Sequence, residues 1–462
     1  MPRMKRIAVV GAGVSGLTAA YYLNRIREEQ SLELEIALLE ACDRPGGVIR
    51  SVRKDGLLLE GGPEGWASYK PAAKVLVKDL GLQQDLIGSK DIHRRTFIVN
   101  QGQLTELPKG MAFFAPVDPI SFWRSAPISI RGKFRASLEP FISRSKGDLS
   151  VQQFFERRLG SEFTEEVVEP LISAILGSDF RKVSARSALP EMYGIEQRTG
   201  SLWKGMRRFA NIPATVSTLN SMRHGMGQVI EGLVNQLGQV QSHYSCGQLK
   251  LKKSNGSYSL VSDAFEGEFD SIIFCTPAHA TASIVQDPFP ETAGILNEIP
   301  YGSSNLVYLA YERSGFTHDL NGFGFIVPSR EAGTVDACTW VSTKWDGRCS
   351  DDRVLIRCAI HSGRKHRADL SDEALVEAVH QELHRLLKID SNPCLSQVFR
   401  VKGSLPQLLV GHSRKLERIS ESLKDDPNLY MAGSYWGGVG VPDCIKTGKA
   451  AAERVAESLF TA

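Results

Sequence analysis

The chain has 462 residues, a formal net charge of +3, 42% hydrophobic residues and 23% charged ones. This balance belongs to a large globular protein and excludes a disordered chain and a strongly basic nucleic-acid binder. With no run approaching the ~20 uninterrupted apolar residues of a membrane span, and with eight cysteines that form no C-x-x-C pair, the sequence also argues against an integral membrane protein, a thioredoxin-like centre and a zinc ribbon, and it suits a reducing cytoplasm.

Arg3, Lys5 and Arg6 precede a mostly apolar stretch, 7–23, which imitates a signal peptide. Glycine spacing explains the same residues better. A short apolar strand (7–10) leads into Gly11, Ala12, Gly13, Val14, Ser15 and Gly16, the G-x-G-x-x-G pattern, then a helical stretch, then a second apolar strand (34–39) ending in Glu40. Strand, glycine turn, helix, strand and acid in this order are the dinucleotide fingerprint. Gly11 permits the tight turn, Gly13 lets a pyrophosphate approach the backbone, and Gly16 lets helix pack on strand. The helix N-terminus offers N–H groups and a positive dipole end to phosphate, and Glu40 is placed to accept ribose hydroxyls. Arg44 and Gly47 follow, then Gly61-Gly62-Pro63. A second glycine doublet is superfluous for a nicotinamide but suits the longer FAD, and Arg44 can neutralise pyrophosphate charge.

Further along, 72–80 reads as an amphipathic helix ending at Gly81, and 95–107 as a hairpin. From 109 to 222 the chain turns helical. Its 109–146 stretch carries seven basic residues (Lys109, Arg124, Arg131, Lys133, Arg135, Arg144, Lys146) against Asp118 and Glu139, with Phe113, Phe114, Phe122, Trp123, Phe134 and Phe141 interleaved. That composition suits docking to an anionic membrane surface, and equally a domain core with a solvated rim. A helix at 225–237 precedes strands at 249–252, 257–262 and 269–274. Strands at 304–311, 323–328, 337–342 and 353–361 follow, then helices at 371–388 and 413–423. The tail, 430–458, returns to strand, glycine turn and helix.

The expected fold is α/β (α+β): a discontinuous Rossmann-like FAD-binding domain (1–70, 223–298, 425–462), a mixed-sheet substrate domain (71–108, 299–424) and a helical, membrane-facing domain (109–222).

The tail around Gly433, Gly437 to Gly440, Val441, Pro442 and Gly448 resembles the C-terminal flavin motif of the amine-oxidase-like flavoproteins. More narrowly, the chain resembles the oxygen-dependent protoporphyrinogen/coproporphyrinogen oxidases, with a lean toward the Gram-positive bacterial type. The carriers of this likeness are 170–177, 184–190, Glu196 with 200–202, Gly322-Phe323-Gly324 with Val327-Pro328, Pro406-Gln407 and Gly411-His412. The chain departs from the family at Leu408, Ala174 and near Val401. The resemblance implies FAD contacts at Gly11 to Gly16, Glu40, Ala41, Arg44, Gly47 and Val48, with Gly62, Pro63, Glu64 and Gly65 against the flavin. It also implies backbone bonds to the adenine side from Leu249, and Val439, Gly440 and Val441 beside the flavin N1/O2 edge.

The implied reaction converts coproporphyrinogen III or protoporphyrinogen IX to the porphyrin by three hydride transfers to flavin, with O2 as acceptor and H2O2 as product, in haem biosynthesis. The flavin carries the chemistry, so no catalytic side chain and no metal is expected, and His412 is read as structural. Substrate propionates need cations, for which Lys70 and Arg95 are the candidates; Leu309 and Phe325 are candidates for the apolar walls. Expected partners are a porphyrinogen, O2, an anionic membrane at the inner face of the cell membrane and a later haem-pathway enzyme, but no nucleic acid. An amine or polyamine oxidase or a carotenoid desaturase on the same fold, or a non-catalytic escort-type binding protein, are the alternatives.

Overall fold

The computed structural model describes residues 4–93, 95–107, 111–112, 115–116, 118–124, 128–207, 217–254, 257–331, 333–361 and 369–460. Lys109, Phe113 and Phe114 lie outside them.

Five parallel strands form the first sheet, in the spatial order Gln241–His243, Leu34–Leu39, Lys5–Val10, Ser271–Phe274, Leu429–Met431. Distant parts of the chain thus meet in one layer. Alternation along the strands divides the core in two. Ile7, Val9, Ile36, Leu38 and Ile273 meet the helices Val14–Glu29 and Val441–Phe460. Ala8, Val10, Ala37, Leu39, Ile272 and Phe274 meet the meander Lys250–Ser254, Ser257–Val261, Glu266–Phe269 and the helices Ala278–Val285 and Pro290–Asn297. Both faces are covered, as parallel sheets require. The first and last helices touch backbone to backbone: a Cβ on Gly448 would stand 2.2 Å from the Ser15 carbonyl oxygen.

The second sheet has seven strands, ordered Leu395–Pro406, Tyr301–Glu312, Arg353–His361, Ala337–Trp340, Gly324–Ile326, Thr96–Asn100, Gln103–Glu106. Its pairings are antiparallel except between Gly324–Ile326 and Thr96–Asn100. Helix Asp372–Leu387 covers one face. The strand Leu395–Pro406 has no counterpart in the sequence reading. It is a sheet edge carrying exposed Arg400 and Lys402, charges that protect such an edge and blur its hydrophobic alternation.

Helix Pro71–Asp79 departs from the expected division. It packs in the core of the first sheet through Ala73, Leu76 and Val77, and Tyr22 donates to its Asp79 at 2.6 Å. Its apolar face packs on the last helix, Val441–Phe460, rather than on the seven-stranded sheet.

The helical region has its own core, built around Phe154, Phe155, Phe163 and Met206. Within it, fully buried Arg158 donates to Glu139 at 2.7 Å and also to Glu196. One cation faces two carboxylates, and backbone donors satisfy the surplus: Leu202 N–H to Glu139 at 2.8 Å and Ser145 N–H to Glu196 at 2.6 Å. Among the described residues no helix is long and apolar enough to cross a membrane.

Candidate flavin site

The fingerprint glycines differ in what surrounds them. Gly11 has φ +99°, and its N–H donates to the Leu39 carbonyl at 2.7 Å. A Cβ on Gly16 would lie 1.8 Å from the Gly11 oxygen, so helix and strand meet there without room for a side chain. A Cβ on Gly13 would meet no heavy atom within 4 Å among the described residues. Helix Val14–Glu29 starts there with no side-chain cap and no acid in its first turn. Its first N–H groups, which have no acceptor within the helix, surround open space at the positive dipole end. The geometry fits an anion.

Glu40 lies beside this space. Its carboxylate accepts from Ala12 N–H at 2.7 Å and Cys42 N–H at 2.9 Å. Ala41, Arg44, Gly47 and Val48 run along the surface next to it, with Val48 45% exposed. Arg44 folds over its own turn and donates to the Pro45 and Gly47 carbonyls at 3.2 and 2.9 Å. The turn is pinned to the fingerprint by the bond from Gly46 N–H to the Ala12 carbonyl, 2.8 Å. Leu249 is buried in the second core. The preceding loop reaches the same edge, Cys246 N–H donating to the Glu40 carbonyl at 2.9 Å.

The second glycine stretch threads between two backbones. A Cβ on Gly62 would lie 2.1 Å from the Val48 oxygen, and one on Gly65 2.4 Å from the Asn220 oxygen. Here close protein packing by itself demands glycine. Between them, Glu64 pairs with Lys344, and Arg357 Nη1 lies 3.8 Å from it while Arg357 Nη2 donates to the Gly62 carbonyl at 2.8 Å. Glu64 Oε2 is buried without a hydrogen-bond partner among the described residues. Burial pushes the Glu64 carboxyl upward, but Lys344 and Arg357 outweigh it and hold it below its ordinary value. Sequence reasoning missed Lys344 and Arg357, because no local motif marks a lysine or arginine that pairs across some 280 residues.

The C-terminal motif closes the cradle. Gly433 and Gly438 take φ of +107° and +123°. Gly440 N–H donates to Asp443 at 3.2 Å, and Val441 opens the last helix. Val439 lines a small apolar recess with Leu176, Val183, Ala188, Pro406 and Leu408. His412 is buried and its Nε2 donates to the Tyr435 carbonyl at 2.7 Å; burial lowers its pKa.

The candidates for the apolar walls need correction. Leu309 and Phe325 are 0% and 1% exposed and pack beneath helix Asp372–Leu387. They point away from the Glu60–Glu64 stretch, because successive strand residues face opposite ways. The opposite face carries Tyr308, whose hydroxyl bridges the Glu60 N–H and carbonyl at 3.0 and 3.1 Å. The same face presents half-buried Ser304, Ala337, Thr339, Arg357, Ala359 and Val401. With Leu306 and Phe399 on the same face, these residues form a floor between the Gly62–Glu64 segment, reached by Arg357, and the helical region, reached by His361 Nε2 at 3.2 Å from the Ala174 carbonyl. Ala174, Val401 and Leu408, the three departures, all border this floor or the adjoining recess. Lys70 is no free cation: Asp443 holds it at 2.7 and 2.9 Å. Arg95 pairs with Glu106 at 2.8 Å and stacks 5.1 Å over Phe97 on the outer hairpin of the seven-stranded sheet.

A glycine cradle closed by both ends of the chain, facing a mixed sheet, defines a dinucleotide-binding flavoprotein. A family model for flavin containing amine oxidoreductases matches residues 14–456. Coproporphyrinogen III oxidases of Bacillus subtilis (strain 168) and Staphylococcus aureus (strain NCTC 8325 / PS 47) are 31% and 32% identical, over 99% and 98% of this chain and 99% and 100% of theirs. A crystal structure from Exiguobacterium sp. 255-15, provisionally described as a protoporphyrinogen oxidase, superposes with a TM-score of 0.86 at 27% identity over 99% of both chains. Putrescine oxidase shares the fold at a TM-score of 0.69 and 18% identity, over 98% of each chain. The chain belongs to the flavin containing amine oxidoreductases, in the branch of the coproporphyrinogen and protoporphyrinogen oxidases. It is an oxidoreductase with FAD as cofactor.

Proposed function

We propose that this protein oxidises coproporphyrinogen III to coproporphyrin III in haem biosynthesis, with protoporphyrinogen IX as the lesser substrate. The observation that carries the proposal is the half-buried face of the seven-stranded sheet, where Ser304, Ala337, Thr339, Ala359 and Val401 leave a patch of small side chains around Arg357 on which a flat macrocycle would lie. The full-length likeness to coproporphyrinogen III oxidases supports the same choice. FAD, when bound, would supply the hydride acceptor, with O2 as the final acceptor of the electrons. Each porphyrinogen gives up six electrons and six hydrogens in three rounds, so three O2 become three H2O2. The protein's part is orientation and charge placement. In this proposal Gly11 to Gly16 and Glu40 to Val48 hold the cofactor's phosphates and ribose. Gly62 to Gly65 and Val439 to Val441 flank its ring, Leu249 sits on the adenine side, and Arg357 is the cation beside the floor.

The test is direct, because porphyrins fluoresce and porphyrinogens do not. Purified protein should raise coproporphyrin fluorescence faster than protoporphyrin fluorescence, and both faster than air alone. If neither exceeds the air-only control, the assignment fails.

The protein is further proposed to be cytoplasmic, to dock on an anionic membrane surface and to pass its product to a later haem-pathway enzyme. Ile120, Trp123, Ile130, Phe134 and Phe141 are 43–85% exposed, beside exposed Arg124, Arg131, Arg144 and Lys146. Not all of the stretch takes part. Phe122 is core, Lys133 is buried against the Trp123 carbonyl, and Arg135 ties down the carbonyls of Glu156, Arg157 and Arg158. Vesicle flotation without binding to anionic lipid would end the docking proposal.

A further inference from the structure

Lys70 stands where three distant segments meet. It follows the Gly62–Gly65 stretch, Asp443 lies in the first turn of the last helix, and Glu191 lies in the first turn of helix Pro190–Thr199. Lys70 Nζ is 2.7 Å from Asp443 Oδ2 and 3.3 Å from Glu191 Oε1. The two carboxylates are held differently. Asp443 is 17% exposed, takes two contacts from Lys70 and accepts from Gly440 N–H. Glu191 is 43% exposed and contributes one longer contact. One ammonium thus faces two carboxylates, leaving a surplus negative charge at the position that would bind an acidic substrate.

The surroundings suit an amphiphilic ligand. Ala188, three residues before Glu191, and Val439, four before Asp443, line the same apolar recess. Apolar positions of the recess thus lie within a few residues of each carboxylate.

We propose that Glu191 is a resident counter-ion of Lys70 which a substrate carboxylate displaces, making Glu191 a residue that sets specificity for carboxylated ligands. This rests on the porphyrinogen reading. An ion pair with one partner this exposed is weak, so exchanging one carboxylate for another is easy, while Asp443 stays and keeps Lys70 in place. A ligand whose carboxylates are masked has nothing to exchange. It would meet the recess alone.

The experiment titrates the holoenzyme with coproporphyrin III and, separately, with its tetramethyl ester. Glu191→Gln should tighten coproporphyrin binding by roughly two- to fivefold, lower KM for coproporphyrinogen in step, and leave ester binding unchanged. The gain should shrink in high salt and vanish when Lys70→Met is added, a coupling that a double-mutant cycle reads. Unchanged or weaker coproporphyrin binding by Glu191→Gln overturns the proposal, as does equal tightening for the ester or a gain that survives Lys70→Met. A wild-type protein that oxidises porphyrinogen while the variant shows one of these results defeats this inference alone; a wild-type protein without that activity defeats the underlying function.

Discussion

The cofactor cradle and the substrate floor are built by different means. The cradle is a backbone object. Its shape follows from where side chains are missing, as at Gly13, where a Cβ would enter open space, and at Gly16, where one would strike the Gly11 carbonyl. The floor is a side-chain object. Arg357, Thr339 and Ser304 share one face only because three strands align in register, and its charges work through partners such as Glu64 and Lys344. Errors in the first are steric and local. Errors in the second are electrostatic and graded.

Four substitutions, taken from largest to smallest expected effect, and one companion to the first can break or sharpen that contrast. Gly16→Ala should abolish folding and flavin together, seen as loss of soluble yellow protein, since nothing at 1.8 Å can yield. Its companion Gly13→Ala sits at φ −68°, ψ 176°, which alanine accepts. Unfolding of the apoprotein should therefore move by no more than ~0.5 kcal/mol, while FAD affinity falls. If Gly13→Ala unfolds the apoprotein, or leaves FAD affinity unchanged, the backbone account of the cradle is wrong.

Arg158→Met leaves Glu139 and Glu196 buried without their cation and should cost roughly 3–5 kcal/mol in urea unfolding. A cost below ~1 kcal/mol would show that the backbone donors alone suffice. Lys344→Met should cost ~2 kcal/mol at neutral pH through loss of a charge-assisted bond, and it should also change the pH profile. The Glu64 carboxyl lies below its ordinary value in the folded protein. Its stabilising contribution is therefore present above the unfolded value of about 4.3 and is lost as pH falls through the folded value. Without Lys344 burial gains weight, and acid unfolding should begin at higher pH. An unshifted acid limb would remove Lys344 as the controlling partner. Tyr308→Phe removes a hydroxyl that bridges both backbone groups of Glu60. It should cost ~1 kcal/mol, with a small drop in FAD affinity if the floor and the second glycine stretch are mechanically joined.

By itself the sequence determined the opening turn of the cradle. Glycine spacing, the apolar runs at 7–10 and 34–39, and Glu40 are local signals, and the turns they dictate follow from backbone sterics within some 40 residues. The hairpin at 96–106 and the helix Asp372–Leu387 were legible for the same reason, their periodicities being continuous. Only the tertiary structure decided which strand face meets the second glycine stretch. Leu309 and Tyr308 are neighbours in sequence, yet opposite in direction, and pairing with distant strands selects between them. The edge strand Leu395–Pro406 took its identity from its neighbour Tyr301–Glu312, because its own pattern is broken by exposed charges. The ionic partners of Lys70, Glu64 and Arg158 were likewise unreadable. Coulomb attraction acts through space, and a sequence records only the order along the chain.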